Sequence, residues 1–546
     1  MSVSSFFGFN TAITGLFTAQ KQLEIINHNI NNVNTPGYSR QVAEQTAGKP
    51  YYLPGVVGVI GTGSEISSIY RVRDEYLNYK YWNENMSYGE WSAKMELLAD
   101  MEATFNEPSE SGFTTIMNDF FASLQELSKD PSSEPVRALV QQNGITLANY
   151  FNNAAVHFEK LQSDINQRVR IKVEQINSIA VQIQQLNKQI YNAELDGSIA
   201  NDLRDRRTVL VDDLSKIVNV EANEVIVSGD SEKHFVVAIS GKSLVNHFNI
   251  TKLEITQRDD NAILNEGDIA GLYEISWEDG NKFEAKSGEL KGYIDIRDGN
   301  DGILGVDEKT ASPSFKGIPF YIRKLNEFVR TFAIAFNEGY IDVNGNGNIE
   351  YEEDGIGHVD GFGLSVNDGD LTSSSTGIRF FTMIGDDGKP VNSEDFIGTA
   401  NDIVEIADSY KNITAKNFSV SKDIATDPKT IAASNINSEA GNGEVLKELI
   451  ELRHNTKMFT EGLPEDFMKS LIAMLGIDSE QAVRLLENKE SVVKQLVNRR
   501  LADSGVSLDE EMAEMVRYQH AYNAAARMVT TMNEIYDTLI NRLGIL

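Results

Sequence analysis

Apolar residues at Phe9, Ala12, Leu16, Ala19, Leu23, Ile26, Ile30 and Val33 recur in alternating steps of three and four. That is the rhythm of a coiled-coil seam, and it predicts a helix from about Phe9 to Val33. Asn34-Thr35-Pro36-Gly37 then ends it, since proline removes a backbone donor and glycine tolerates positive φ. The far end of the chain repeats the pattern. Met515, Tyr518, Tyr522, Ala525, Val529, Met532, Tyr536, Leu539 and Leu543 mark a seam on a helix from about Leu508 to Leu543, with Ser507 and Glu510 spaced as a capping box. Both stripes are too narrow to be the core face of a large globule. They predict that the two termini pack on each other and on neighbouring copies. An isolated helix gains little without a partner, so both termini are expected to be labile in the free monomer.

Between the ends, helical periods run over Arg73 to Phe105, Gly112 to Ser128, Glu134 to Glu194 and Asn201 to Val218. Later ones cover Phe315 to Tyr340, Pro464 to Leu475 and Ser479 to Leu501. From Val218 to about Ala311 the period falls to two. Val225 to Val227, Phe235 to Ile239, Leu253 to Ile255 and Gly271 to Trp277 read as strands. Ile341 to about Glu439 is rich in Gly, Asn, Asp and Ser, with short strands such as Ile378 to Met383. The expected fold is α+β and multi-domain. A discontinuous terminal-helix coiled coil (1–60 with 505–546) joins a helical body (61–217 with 312–340 and 440–504). A β-rich domain (218–311) and a variable Gly/Asp-rich insertion (341–439) are inserted into that body.

Composition removes several functions. The net charge of −32, from 81 acidic and 49 basic residues, lacks the basic footprint of a nucleic-acid binder and would be repelled by an anionic membrane. There is no cysteine, so disulfides and thiolate metal sites are excluded. No apolar run approaches the roughly 18 residues needed to span a bilayer, and the N-terminus has no signal-peptide layout. The seven histidines are scattered, and no H-E-x-x-H, G-x-S-x-G or P-loop pattern occurs. No catalytic residue is nominated, and no cofactor is required.

One segment carries candidate chemistry. Asp342 to Glu353 fits the twelve-residue calcium-loop pattern. Its ligands would be Asp342, Asn344, Asn346, the Asn348 carbonyl, Glu350 through water, and bidentate Glu353, with Gly347 at the sharp turn. The same letters are ordinary turn chemistry, and Asp354-Gly355-Ile356-Gly357 breaks the chain where a second helix would follow. Both readings stand.

The stretch Asn29-Ile30-Asn31-Asn32-Val33-Asn34-Thr35-Pro36-Gly37-Tyr38 resembles the N-terminal signature of flagellar rod, hook and hook-associated proteins, with Asn31 where alanine is usual. Asn29, Asn32, Thr35, Pro36, Gly37 and Tyr38 carry that resemblance. Tyr38-Ser39-Arg40-Gln41, Leu186-Asn187-Lys188-Gln189-Ile190, Leu203-Arg204-Asp205-Arg206-Arg207 and the block from Gly505 to Arg527 are similar to the hook-associated protein 1 family in particular. The resemblance is weak or absent over 341–439. It implies a structural subunit, not an enzyme, that forms the ring between hook and filament. The terminal helices would line the inner tube, with Leu16, Leu23, Ile26, Ile30, Val33, Tyr522, Val529, Met532, Tyr536, Leu539 and Leu543 as assembly residues. Implied partners are further copies of itself, hook protein, hook-associated protein 3 and an export chaperone. Implied export is through the flagellar type III apparatus, without a cleaved signal peptide, to the extracellular flagellum. The alternatives are another axial protein (hook-associated protein 3 or hook protein) and a calcium-binding, adhesin-like module carried on the flagellum.

Overall fold

The computed structural model describes residues 7–52, 59–105, 109, 112–226, 233–258, 263–306, 308–340, 355–365, 374–400 and 403–542. Its helices are α1 (Phe7–Asn31), α2 (Glu75–Phe105), α3 (Phe113–Lys129), α4 (Glu134–Glu194), α5 (Asn201–Ile217), α6 (Glu289–Asp298) and α7 (Ile318–Glu338). They continue with α8 (Ser393–Ile397), α9 (Ile403–Tyr410), α10 (Lys422–Thr426), α11 (Glu444–Glu451), α12 (Pro464–Ser504) and α13 (Leu508–Asp537). The sheets are small and antiparallel, so the fold is α+β.

The 61-residue α4 is the spine; at about 1.5 Å per residue it runs roughly 90 Å. Pro135 in its first turn needs no donor there. The inward face, including Val140, Leu147, Phe151, Phe158, Ile165, Val169, Ile176 and Ile183, is fully buried. α7 closes the body above it. It carries Pro319 in its first turn and stops at Gly339, whose φ of 71° supplies the left-handed cap. Phe328 of α7 stacks on Phe151 of α4 with ring centroids 5.1 Å apart.

A four-stranded sheet of Val220–Ile226, Lys233–Ile239, Lys242–Asn246 and Asn249–Ile250 lies in sequence order beside α4. Leu253–Gln257 pairs with Tyr273–Trp277 alongside. The stretch 218–311 also contains α6, which strand periodicity did not reveal. Its Leu290 and Ile296 are buried, and its Asp295 binds Lys94 of α2 at 2.8 Å.

One expectation is corrected and two features are added. Pro464 to Leu475 and Ser479 to Leu501 form one helix, α12, because Gly476 and Asp478 are carried through the turn between them. Ser479 there reaches Glu102 of α2 at 3.2 Å. A hairpin of Gln41–Ala47 with Ser64–Arg71, absent from the sequence reading, stands beside α1. Among the described residues of 341–439, one apolar cluster enters the body. Phe380, Phe381, Ile413, Phe418 and Val420 are all buried in the body, with Phe380 5.7 Å from Phe120 of α3. Phenylalanines this apolar cannot be left on an exposed excursion, and the glycine-rich composition around them hides that.

Candidate assembly site

The two ends of the chain meet at the signature turn. α1 and α13 run antiparallel, with Phe9 against Tyr536 at one end and Asn29 against Glu511 at the other. α1 ends because the side chain of Asn32 turns back and donates to the His28 carbonyl at 2.9 Å, satisfying one of the orphan acceptors of the last turn. The Asn32 carbonyl and side-chain oxygen then accept from Thr35 N at 2.9 Å and Thr35 Oγ1 at 3.2 Å. Gly37 takes φ of 75°, and a Cβ there would fall 2.1 Å from Cγ2 of Val209 on α5. Both the backbone sign and the close approach require glycine.

Asn29, 1% exposed, is fully employed. Its Oδ1 accepts from Tyr38 OH at 2.8 Å and Gln41 N at 2.9 Å, while its Nδ2 donates to Gln41 O at 2.9 Å and Glu511 Oε2 at 3.1 Å. Burial, together with Asp202, Asp205 and Glu511 nearby, pushes the Tyr38 hydroxyl well above its ordinary pKa, so it stays a donor. Glu511, itself 2% exposed, accepts from Arg40 Nε at 2.9 Å on its other oxygen. Arg40 N also donates to Ser504 O at 2.8 Å, so the turn holds the end of α12 as well. On the other side, buried Asp205 of α5 accepts from Ser39 N and Ser39 Oγ, both at 2.8 Å, and from Arg71 at 2.8 Å. Burial, with Arg500 and Arg71 close by, pulls the Arg73 guanidinium down to about 10.

Known proteins match along the whole length. Residues 98–348 match the flagellar hook-associated protein FlgK helical domain. Residues 9–38 match the flagella basal body rod protein family, and residues 497–543 match the flagellar basal body rod FlgEFG protein C-terminal family. The chain is 30% identical over 554 residues to flagellar hook-associated protein 1 of Bacillus subtilis (strain 168), covering 99% of each. The chain belongs to the flagellar hook-associated protein 1 family. Identity to the Escherichia coli (strain K12) protein of that name is 26%, covering 97% of this chain and 99% of the relative. The solved flagellar hook junction protein FlgK from Burkholderia pseudomallei shares the fold, with a TM-score of 0.52 over 80% of this chain and 100% of its own at 14% identity.

In this hook-associated protein 1 family member, the structure sorts the nominated assembly residues. Ile26 and Tyr536 are buried; Leu16, Leu23, Ile30, Val33, Tyr522, Val529 and Met532 are half-buried. Leu539 is 49% exposed and lies in a π turn over Thr538–Arg542. Leu543 lies outside the described residues. So do all six calcium-loop candidates, Asp342, Asn344, Asn346, Asn348, Glu350 and Glu353. Among the described residues no group of three or more His, Cys, Asp or Glu side chains could hold a metal, and no helix is long and apolar enough to cross a membrane.

The buried carboxylates Glu511 and Asp205, with Arg40, Arg71 and Arg73, were not nominated from sequence, although most of them sit inside or next to the family-like blocks. The signal was a charged residue within a block otherwise read only as a helix.

Proposed function

We propose that this chain is a structural subunit of the ring that joins hook to filament, built to present the paired helices α1 and α13 to neighbouring copies. The observation that carries this is the turn around Asn29 and Glu511. It binds both chain ends into one unit while leaving apolar side chains of that unit in solvent: Phe17 is 62% exposed, Met512 60%, Val516 53% and Met528 51%. Exposed apolar stripes on a monomer are surfaces to be covered on assembly. Residues 1–60 with 505–546 would form the inner-tube domain, and the other proposed units would be the helical body of 61–217, 312–340 and 440–504, the β-rich domain 218–311 and the insertion 341–439.

In this reading the subunit works by holding geometry rather than by catalysis, and its partners are other copies, hook protein, hook-associated protein 3 and an export chaperone. It acts outside the cell after export without a cleaved signal peptide. Calcium at Asp342, Asn344, Asn346, Asn348, Glu350 and Glu353 is a separate proposal resting on the loop pattern alone. It would stiffen the chain after α7, and titration of the full chain with calcium tests it.

Immunogold labelling of isolated flagella tests the placement. Label confined to the distal end of the hook supports the ring; label along the filament, or none on intact flagella, defeats it.

A further inference from the structure

We propose that Asp205 and Asp212 of α5 are positioning residues that set the direction of the terminal helix pair relative to the helical body, one holding the N-terminal limb and the other the end of α12. Seven residues on a helix make nearly two turns, so the two carboxylates share a face about 10 Å apart along the axis. Asp205 holds the N-terminal limb through Ser39 and Arg71, each at 2.8 Å, and Arg73 at 3.4 Å. Asp212 holds the end of α12, from which the C-terminal limb leaves the body. Its Oδ2 accepts from Arg500 Nη2 of α12 at 2.9 Å, one turn before the Ser504 carbonyl that Arg40 binds. Its Oδ1 accepts from Trp82 Nε1 of α2 at 2.6 Å, and Arg500 lies 4.6 Å over the Tyr81 ring.

Adhesion alone would not call for this arrangement. Three guanidinium groups converge on two carboxylates in a largely buried place, where well-packed apolar side chains would hold at least as strongly. What fixed donors and acceptors add is a single geometry. A ring subunit needs that: its inner helices must leave the body at one angle for neighbouring copies to meet. The purpose therefore rests on the junction reading, while the clamp itself does not.

The chain contains no cysteine, so the pair N27C and Q175C, at exposed positions on α1 and α4, can carry spin labels on the otherwise native full chain. Pulsed electron resonance on the purified protein should give one narrow distance. The D205N/D212N double variant should lose it to a broad or split distribution, and R500Q, which releases only the end of α12 from Asp212 and leaves α5 intact, should broaden it too. D213N, at the exposed neighbouring position, should match the parent. Helical circular dichroism should stay parental throughout, which separates a lost angle from a lost fold; the double variant, which leaves buried guanidinium groups unpaired, should melt lower than the parent, and D213N should melt with the parent. A parental distance in R500Q would overturn the proposal whether or not the double variant folds. Because the measurement needs no flagellum, its failure is distinct from failure of the junction assignment.

Discussion

Asn29 of the first helix donates a hydrogen bond of 3.1 Å to Glu511 of the last, across 482 positions of sequence, with both side chains buried. This contact makes the two ends of the chain one object. Asn29→Asp keeps the shape but replaces two donors with an oxygen and sets a second carboxylate beside Glu511. The expected cost is about 3 kcal/mol, felt locally. Hydrogen exchange should show faster opening of α1 and α13 with the body unchanged. In the parent, amides near Asn29 and Glu511 should exchange more slowly than those near Phe9 and Tyr536.

Gly37→Ala should impair assembly more than folding. The positive φ costs an alanine roughly 1 kcal/mol, and its Cβ would strike Val209. Adding Val209→Ala removes the clash and leaves the backbone strain, so the double variant should recover only part of the lost motility and melting temperature.

His358 makes the body sensitive to acid. It is fully buried, its Nδ1 meets the Ile378 carbonyl at 2.7 Å, and its Nε2 accepts from Ala432 N at 2.8 Å, which fixes the neutral ring. Burial drops its pKa from 6.5 to about 4. The unfolded chain takes up this proton below pH 6.5 while the folded chain does not until about 4. The stabilisation is therefore whole above pH 6.5 and is lost as pH falls toward 4, on the order of 3 kcal/mol across that window. Urea unfolding at pH 7.5 and 4.5 should show a smaller acid loss in His358→Gln than in the parent.

Phe380→Ala tests whether 341–439 is part of the body. Phe380 is fully buried between α3 and α7, beside Phe120 and Phe336, so its removal should cost about 3–5 kcal/mol. The main thermal transition of the body should move down. An unmoved main transition, with a separate early one, would mean an independent insertion.

Gly476→Ala should stabilise. The residue is inside α12, and the added Cβ would meet Glu102 only at an ordinary 3.7 Å. A gain of about 0.5–1 kcal/mol in the unfolding free energy is expected.

The helices were legible where their period was long and undisturbed: the Glu134 to Glu194 bounds read from sequence are those of α4. Local signals misled where tertiary packing decided. Gly476 reads as a break, yet α12 packs along α2 and runs through it. Phe380 and Phe418 lie in composition typical of loops, and only their contacts with Phe120 and Phe151 reveal a core role. α6 was hidden between strands because most of its residues are buried, including Asp295 and Arg297, so no one-sided apolar stripe shows. The signature turn was visible as a motif, but its carboxylate partners were not. Nothing in sequence spacing pairs Ser39 with Asp205 or Arg40 with Glu511.

As a hook-filament junction subunit, this chain forms the joint on which a filament is built. The most direct test is electron microscopy of cells lacking the gene, beside a motility assay and an assay of the culture medium. Such cells should be immotile, with hooks that end bare and filament protein shed into the medium. Normal filaments on those cells would contradict that role.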